Sequence, residues 1–119
     1  MILSEQSDSI HMHGGCININ GCGILIGGLP NTGKSEALLG LMDRGHQFVC
    51  DDITRITKID DTLMASCPNA DFKTHLSLRD IGIINLSIHY QAQSFCSQAS
   101  LVGVVELNQS PIDQFSNNS

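Results

Sequence analysis

The stretch Gly28-Leu29-Pro30-Asn31-Thr32-Gly33-Lys34-Ser35 has the spacing G-x-x-x-x-G-K-[ST] of a phosphate-binding loop, and it decides the fold of this chain. Residues 23–27 before it are apolar and branched, as a buried strand is, and residues 35–44 after it have the pattern of a helix. In this setting backbone N–H groups and the helix dipole point at a bound anion. We therefore predict a nucleotide-phosphate site at residues 28–35.

All eight residues of this loop are predicted to contact phosphate: Gly28, Leu29, Pro30, Asn31, Thr32, Gly33, Lys34 and Ser35. Lys34 would reach the β- and γ-phosphates, and the Ser35 hydroxyl would bind Mg²⁺. A glycine-rich turn that leads into an ordinary helix is the alternative, and Pro30 has no N–H to donate. The strand before the loop and the helix after it favour phosphate binding.

The composition is that of one small domain. The chain has 119 residues, a net charge of −6 and 41% hydrophobic residues, which indicates a folded domain rather than a disordered chain. It shows no basic patch and no apolar run near the roughly 20 residues that cross a membrane, so we predict no nucleic-acid or membrane partner. The five cysteines include no C-x-x-C pair, which favours reduced thiols and a cytoplasmic location.

The chain order predicts an α/β domain at residues 10–107, between disordered polar ends at 1–9 and 108–119. Strands are predicted at residues 15–19, 23–27, 46–50, 53–59, 62–66, 81–86 and 100–107. Turns at Asn20-Gly21 and Asp60-Asp61 would close two hairpins. The helix after the loop would end near Arg44 with Gly45 as its cap, and residues 72–78 are predicted as a short helix.

Three further details complete the predicted chain. The strand at 81–86 is expected to be buried, with a close backbone approach at its glycine. Residues 87–99 are polar, and their pattern predicts no element. The odd feature is the strand that feeds the phosphate-binding loop, because it is the second strand of an antiparallel hairpin rather than part of a parallel βαβ unit.

Two adjacent carboxylates, Asp51 and Asp52, follow the predicted strand at 46–50. In P-loop proteins, carboxylates at the end of a neighbouring strand face the nucleotide, where they hold Mg²⁺ or accept a proton. Adjacent side chains of a strand point to opposite sides, so the two roles should differ. A solvated turn is the alternative. A lone histidine is more often structural than catalytic, so the residue type alone assigns no function to the five histidines.

Together these residues resemble the catalytic domain of bacterial HPr kinase/phosphorylase. His13-Gly14, the hairpin and the phosphate-binding loop follow one another without a gap, and the match continues through Asp51-Asp52 to residues 78–85, which include the signature Arg79. The chain resembles the short form of this family that proteobacteria have, or a further degraded version of it. The resemblance implies a mixed β-sheet with a P-loop helix, a fold similar to that of phosphoenolpyruvate carboxykinase.

The resemblance implies an ATP-dependent protein serine kinase. Its substrate would be HPr or an HPr-like phosphocarrier of the phosphotransferase system, and it would regulate carbon or nitrogen metabolism. Removal of the same phosphate by phosphorolysis, which gives pyrophosphate, would make it a phosphorylase as well. The implied cofactors are ATP and Mg²⁺, and a homo-oligomer is possible.

Site residues follow from the same resemblance. The implied catalytic residues are His13, Lys34 and Asp52, with Asp52 accepting the proton of the substrate serine. The implied Mg²⁺ ligands are Ser35 and Asp51.

The chain departs from the family pattern in several places, and two of them concern the catalytic chemistry directly. Ser77 stands where the family has a glutamate that is its second Mg²⁺ ligand, and a later catalytic arginine has no counterpart. These departures favour an alternative, a catalytically weakened ATP-binding sensor or interaction module on the same fold. Retention of His13, Lys34, Ser35 and Asp52 favours the kinase. A small-molecule kinase is a third hypothesis, for which the sequence shows no set of pocket residues.

Overall fold

A computed structural model describes residues 9–28, 32–78 and 81–107. Its strands within these ranges are β1 (Ser9–His13), β2 (Gly15–Ile19), β3 (Cys22–Gly28), β4 (Gln47–Cys50), β5 (Ile53–Ile59), β6 (Thr62–Ser66), β7 (His75–Leu78), β8 (Gly82–Asn85) and β9 (Gln98–Leu107). The α-helix α1 spans Lys34–Asp43, and short 3₁₀ turns lie at Ala70–Phe72, Leu86–Ile88 and Ala92–Ser94. Apart from Ser9, which begins β1, the predicted disordered ends lie outside the described residues.

Seven of these strands form one mixed sheet in the order β1-β5-β6-β9-β3-β2-β4. Within it, β3 and β9 run parallel, and the other neighbouring strands are antiparallel. Strands β7 and β8 form a separate two-stranded sheet. The predicted α/β fold, a mixed sheet with one helix after the loop, is confirmed. Strand β3, which precedes the predicted phosphate-binding loop, lies inside the sheet between β2 and β9.

The ends of α1 and the first hairpin have local causes in the sequence. After α1, the N–H of Gly45 donates to the Met42 carbonyl and that of His46 to the Leu41 carbonyl, while Gly45 has a φ of 98°. This pattern is a Schellman motif, and it confirms the predicted glycine cap. Asn20 and Gly21 both have positive φ, as the predicted two-residue hairpin turn requires. Over the described part of the chain, no helix combines the length and apolar content that membrane crossing needs.

The core has two parts, and strands β2 and β4 contribute residues to both of them. One part joins the sheet to α1 and the small sheet through seven buried side chains: Ile17, Ile26, Leu38, Met42, Phe48, Leu76 and Leu86. The other contains six buried residues: Cys16, Val49, Cys50, Ile56, Ala65 and Ala99. Because neighbours such as Phe48 and Val49 belong to different parts, the strand alternation assigns them to opposite faces of the sheet. Strand β4 is therefore covered on both faces.

Two predictions after residue 70 are wrong. The predicted short helix at 72–78 is instead a 3₁₀ turn followed by strand β7, because Leu76 packs into the core beside α1 while its neighbours pair with β8. Strand β8 is present but is not buried, since it pairs with β7 alone and leaves Ile83 66% exposed. Gly82 makes no close approach, and its φ of 100° shows that the backbone conformation requires the glycine.

Candidate functional site

The site lies where two strand junctions meet. One residue, Gly14, separates β1 from β2, and Asp51-Asp52 separate β4 from β5. Because β1 pairs with β5 and β2 pairs with β4, the two junctions face each other. The Gly14 N–H donates to the Asp52 carbonyl at 2.6 Å, and the buried Thr54 hydroxyl donates to the Gly14 carbonyl at 2.8 Å. These bonds hold the backbone that carries both carboxylates.

Glycine is required at position 14 for steric reasons. Its φ is 146°, and a Cβ atom there would lie 2.9 Å from the Ile26 carbonyl oxygen of β3. The strand that feeds the phosphate-binding loop is therefore in close backbone contact with the junction that holds Asp52.

The described part of the predicted phosphate-binding loop leads directly into α1. Gly28 ends β3, and Gly33 caps the helix with a φ of 89°, in the left-handed region that glycine adopts at no steric cost. Lys34 and Ser35 are the first two residues of the helix, where the dipole favours anions. Leu29, Pro30 and Asn31 lie outside the described residues, as does the signature Arg79.

Lys34 contacts Asp52, so the structure brings together two of the three predicted catalytic residues. The Lys34 Nζ lies 3.5 Å from the Asp52 Oδ1. The Lys34 side chain is 21% exposed and that of Asp52 is 76% exposed. The ammonium group therefore lies beside a carboxylate that an incoming substrate can reach.

Asp51 lies in a different environment from its neighbour. It is 9% exposed, and its Oδ2 accepts a hydrogen bond of 2.8 Å from the Ser77 N–H of β7. Its Oδ1 is buried and has no hydrogen-bond partner among the described residues. The expectation that the two aspartates differ is consistent with this contrast, one carboxylate being buried and the other exposed.

The backbone of Ser77 connects the two predicted Mg²⁺ ligands. Its N–H binds Asp51, and its carbonyl accepts a 2.6 Å hydrogen bond from the Ser35 hydroxyl. The sequence gives no sign of this role, because every residue type except proline supplies both a backbone N–H and a carbonyl. The strand β7 that carries Ser77 was itself predicted as a helix.

The pKa of Asp51 is raised, and burial is the main cause. The Ser77 N–H and then the Lys34 ammonium lower this pKa, and the adjacent Asp52 carboxylate raises it. The Oδ1 of Asp51 is buried and has no hydrogen-bond partner among the described residues. A bound cation would therefore stabilise the charged form of this carboxylate. Mg²⁺ typically takes one or two protein carboxylates and completes its shell with water and phosphate oxygens. Asp51 and Ser35 fit that donor set.

No cluster of three or more histidine, cysteine or acidic side chains able to hold a metal occurs in residues 9–28, 32–78 and 81–107. An all-protein metal cage is thus not present in that part of the chain. A nucleotide-bound Mg²⁺ does not require one.

Replacing Asp51 by Asn is expected to stabilise the metal-free protein at neutral pH. Because the folded-state pKa of Asp51 is raised, the stability linked to its proton is present below the unfolded pKa and is lost as pH rises through the folded pKa. Asn keeps an oxygen for the Ser77 N–H and carries no charge. Its melting temperature with a chelator present should exceed that of the wild type at neutral pH, and the difference should shrink toward acid pH.

Asp52→Asn is the matched control for this measurement. It removes the same charge one residue away, from a side chain that is 76% exposed and has little desolvation cost to lose. Its melting curve should follow the wild type across the pH range. A lower melting temperature for Asp51→Asn at neutral pH would contradict the burial argument.

A cavity of about 500 Å³ opens beside the carboxylates. Asp51, Asp52 and Ser77 line it, together with Cys67 and His75. Both His11 and His75, to which the residue pattern assigns no function, line this cavity. A strand pattern of alternate faces would have assigned His11 and His13 to one side of β1, but it could not have identified the cavity.

His13 ends β1 and is exposed. The register pairs it with Ile53, the residue that follows Asp52. It therefore lies at the same junction as the carboxylates, and its catalytic role stays a prediction.

Comparison with known proteins gives concordant matches. The sequence pattern of the family described as HPr Serine kinase C-terminal domain matches residues 4–118. An HPr kinase/phosphorylase of Lachnoclostridium phytofermentans is 39% identical over 107 residues, covering 88% of this chain and 34% of the relative. An HPr kinase/phosphorylase of Listeria welshimeri is 40% identical over 105 residues, covering 87% and 33%. The chain thus spans about a third of the length of these curated relatives.

A solved structure has the same fold. The Hpr(Ser) kinase/phosphatase from Coxiella burnetii superposes with a TM-score of 0.77 and 32% sequence identity. The match covers 82% of this chain and 64% of the solved chain.

Proposed function

Because the chain belongs to the HPr serine kinase C-terminal domain family, we propose that it transfers the γ-phosphoryl group of ATP to a serine of HPr or an HPr-like phosphocarrier. The observation that carries this proposal is the 3.5 Å contact between Lys34 and Asp52. It joins the lysine of the phosphate-binding loop to an exposed carboxylate that is free to meet a protein substrate. ATP and a phosphocarrier as substrates imply a cytoplasmic enzyme.

The loop and the first residues of α1 would bind the phosphates. Lys34 would contact the β- and γ-phosphates, and N–H groups at the helix N-terminus would donate to phosphate oxygens. Asp51 and Ser35 would hold Mg²⁺, whose charge offsets that of the phosphates. The buried, unpartnered Oδ1 of Asp51 supports this assignment.

Asp52 is the proposed general base. It would accept the proton of the substrate serine hydroxyl as the oxygen attacks the γ-phosphorus, and the bond to the β-phosphate oxygen breaks to release ADP. In phosphorolysis, inorganic phosphate would attack the phosphorus of the phosphoserine, the bond to the serine oxygen would break to release pyrophosphate, and Asp52 would give a proton to the serine oxygen. Its 76% exposed side chain supports a role toward a large substrate.

The second candidate function is an ATP-binding sensor that does not transfer phosphate. The observation in its favour is Ser77, which stands where the family pattern has a glutamate ligand and contributes only backbone groups to Asp51 and Ser35. Such a protein would keep ATP binding and lose turnover.

Phosphate transfer decides between the two candidates. The purified chain is mixed with γ-labelled ATP, Mg²⁺ and an HPr-like carrier, beside the same carrier with its acceptor serine replaced by alanine. The kinase predicts label on the wild-type carrier alone. Mg²⁺-dependent ATP binding without label favours the sensor, and absence of ATP binding contradicts both.

Ser77→Glu is expected to tighten Mg²⁺ binding. Ser77 lines the cavity beside Asp51, and its side chain is exposed, so a longer carboxylate can be accommodated there. The Mg²⁺ concentration for half-maximal ATP binding should fall about tenfold, the effect of roughly 1.4 kcal/mol. Ser77→Gln, of equal size and no charge, is the control. If both variants change Mg²⁺ binding equally, the added charge is not the cause.

A further inference from the structure

Two thiols meet in the cavity beside the carboxylates. Cys50 is the last residue of β4, directly before Asp51, and Cys67 follows β6. Both line the cavity, and Cys67 packs against the buried cluster that contains Cys50, close enough for the two thiols to interact. Cys50 is 3% exposed, and its thiol also lies 2.9 Å from the Ile53 carbonyl oxygen, while Cys67 is half-buried. The Cys67 thiol is thus accessible from the cavity, whereas the Cys50 thiol is almost completely buried.

The other cysteines lie in different settings. Cys22 is exposed in β3. Cys16 is fully buried, and burial raises the pKa of its thiol to about 12. Cys16 is also the register partner of Cys50 across β2 and β4, which makes it the competing partner for any bond that Cys50 forms.

The surroundings of Cys67 favour its thiolate. The hydrogen bond with Cys50 is the main cause that lowers the pKa of Cys67, and a backbone hydrogen bond with Asn69 adds to it. The Arg55 guanidinium contributes in the same direction, and it is fixed nearby by a 3.1 Å hydrogen bond to the Pro68 carbonyl. A partly exposed thiol next to a fixed cation is the usual environment of a reactive cysteine.

We propose that Cys50 and Cys67 form a reversible disulfide when the protein meets a hydroperoxide, with Cys67 as the thiol that reacts first. The placement of a reachable thiol in contact with a buried one, both in one cavity, carries this inference. All five cysteines are free in the reduced chain described here.

The chemistry balances in two steps. The Cys67 sulfur attacks one peroxide oxygen, the O–O bond breaks, Cys67 becomes a sulfenic acid, and the second oxygen leaves as water after taking a proton. The Cys50 sulfur then attacks the Cys67 sulfur, an S–S bond forms, the S–O bond breaks, and the hydroxyl leaves as water with the proton of Cys50. Two thiols lose two electrons, and hydrogen peroxide is reduced to two waters.

The bond would join the segment after β6 to the strand end that precedes Asp51. Both carboxylates lie at that strand end, so the bond would change the shape of the cavity they line. We expect oxidation to lower phosphate transfer, and this consequence alone rests on the proposed function.

Peptide mapping without reductant tests the disulfide itself. The reduced full chain is titrated with hydrogen peroxide and digested. We expect a linked Cys50–Cys67 peptide, a mass loss of two hydrogens, and full reversal by dithiothreitol. Cys67 should lose its free thiol about tenfold faster than the exposed Cys22. Cys67→Ser should abolish the linked peptide, and Cys22→Ser should leave it unchanged.

Three results would overturn the inference: a Cys16–Cys50 peptide in place of the expected one, irreversible oxidation of Cys67 without a link, or equal rates at Cys67 and Cys22. Phosphate transfer before and after oxidation is measured separately, with Cys67→Ser as the resistant variant. If the reduced protein transfers no phosphate, the proposed function fails, and the peptide map still decides the disulfide.

Discussion

Replacing Lys34 by Ala is expected to weaken ATP-dependent phosphate transfer by about 100- to 1000-fold, the cost of losing one preorganised charged donor from a reaction centre. Lys34 is the first residue of α1 and therefore lies at the N-terminal end of the helix, where the dipole favours phosphate. Without Lys34, no side-chain cation of the loop stabilises the negative charge that develops between the β- and γ-phosphates during transfer. ATP binding should weaken together with transfer.

The fold should survive this substitution. The contact of Lys34 with Asp52 is a partly exposed ion pair, which typically contributes less than about 1 kcal/mol to stability. Lys58, exposed on β5, gives a matched control, because Lys58→Ala removes the same charge far along the strand from Asp52. ATP affinity is measured by calorimetry and transfer by carrier labelling. If Lys34→Ala binds ATP as tightly as the wild type does, the proposal that this loop binds the phosphates of ATP is contradicted.

The parts of the fold that the sequence predicts well have local causes. Gly33 and Gly45 limit α1, and Asn20-Gly21 closes the first hairpin, because each of these residues favours a backbone conformation that few others adopt. The order of strands has no such local cause. That β9 pairs in parallel with β3, and antiparallel with β6, depends on contacts far apart in the sequence.

Strand β7 shows why the short helix was predicted wrongly. Its four residues are too few for periodicity to separate a helix from a strand. The burial of Leu76 against α1 and the pairing of Ser77 with Ile83 decide the conformation, and both are tertiary contacts. Local propensity gives way to packing at such positions.

The candidate site likewise has some groups that the sequence predicts and others that it does not. The motif spacing and the strand end identify Lys34, Asp51 and Asp52, since their chemistry is a property of the side chain. The Ser77 backbone and the Cys50–Cys67 contact could not be predicted. Backbone groups do not depend on residue type, and the contact joins the end of β4 to the segment after β6. The sequence therefore identifies the reactive side chains better than it identifies the groups that hold those side chains in place.

Replacing Asp52 by Asn is expected to lower phosphate transfer by about 100- to 10,000-fold, the range that a general base contributes. ATP binding should be kept, or become tighter, because a negative charge beside Lys34 is removed. Asn has nearly the same shape but cannot accept the proton of a serine hydroxyl. Transfer is measured at saturating ATP and Mg²⁺, so that a binding defect does not mimic a catalytic one.

Asp51→Asn distinguishes a base from a metal ligand. If the buried Asp51 holds Mg²⁺ and the exposed Asp52 accepts the proton, Asp51→Asn should raise the Mg²⁺ requirement, and excess Mg²⁺ should restore part of the activity. Asp52→Asn should not respond to excess Mg²⁺. Equal responses of both variants would contradict separate roles for the two carboxylates. The contrast depends on environment alone, since the two residues are chemically identical neighbours that differ in burial and in their partners, Ser77 for one and Lys34 for the other.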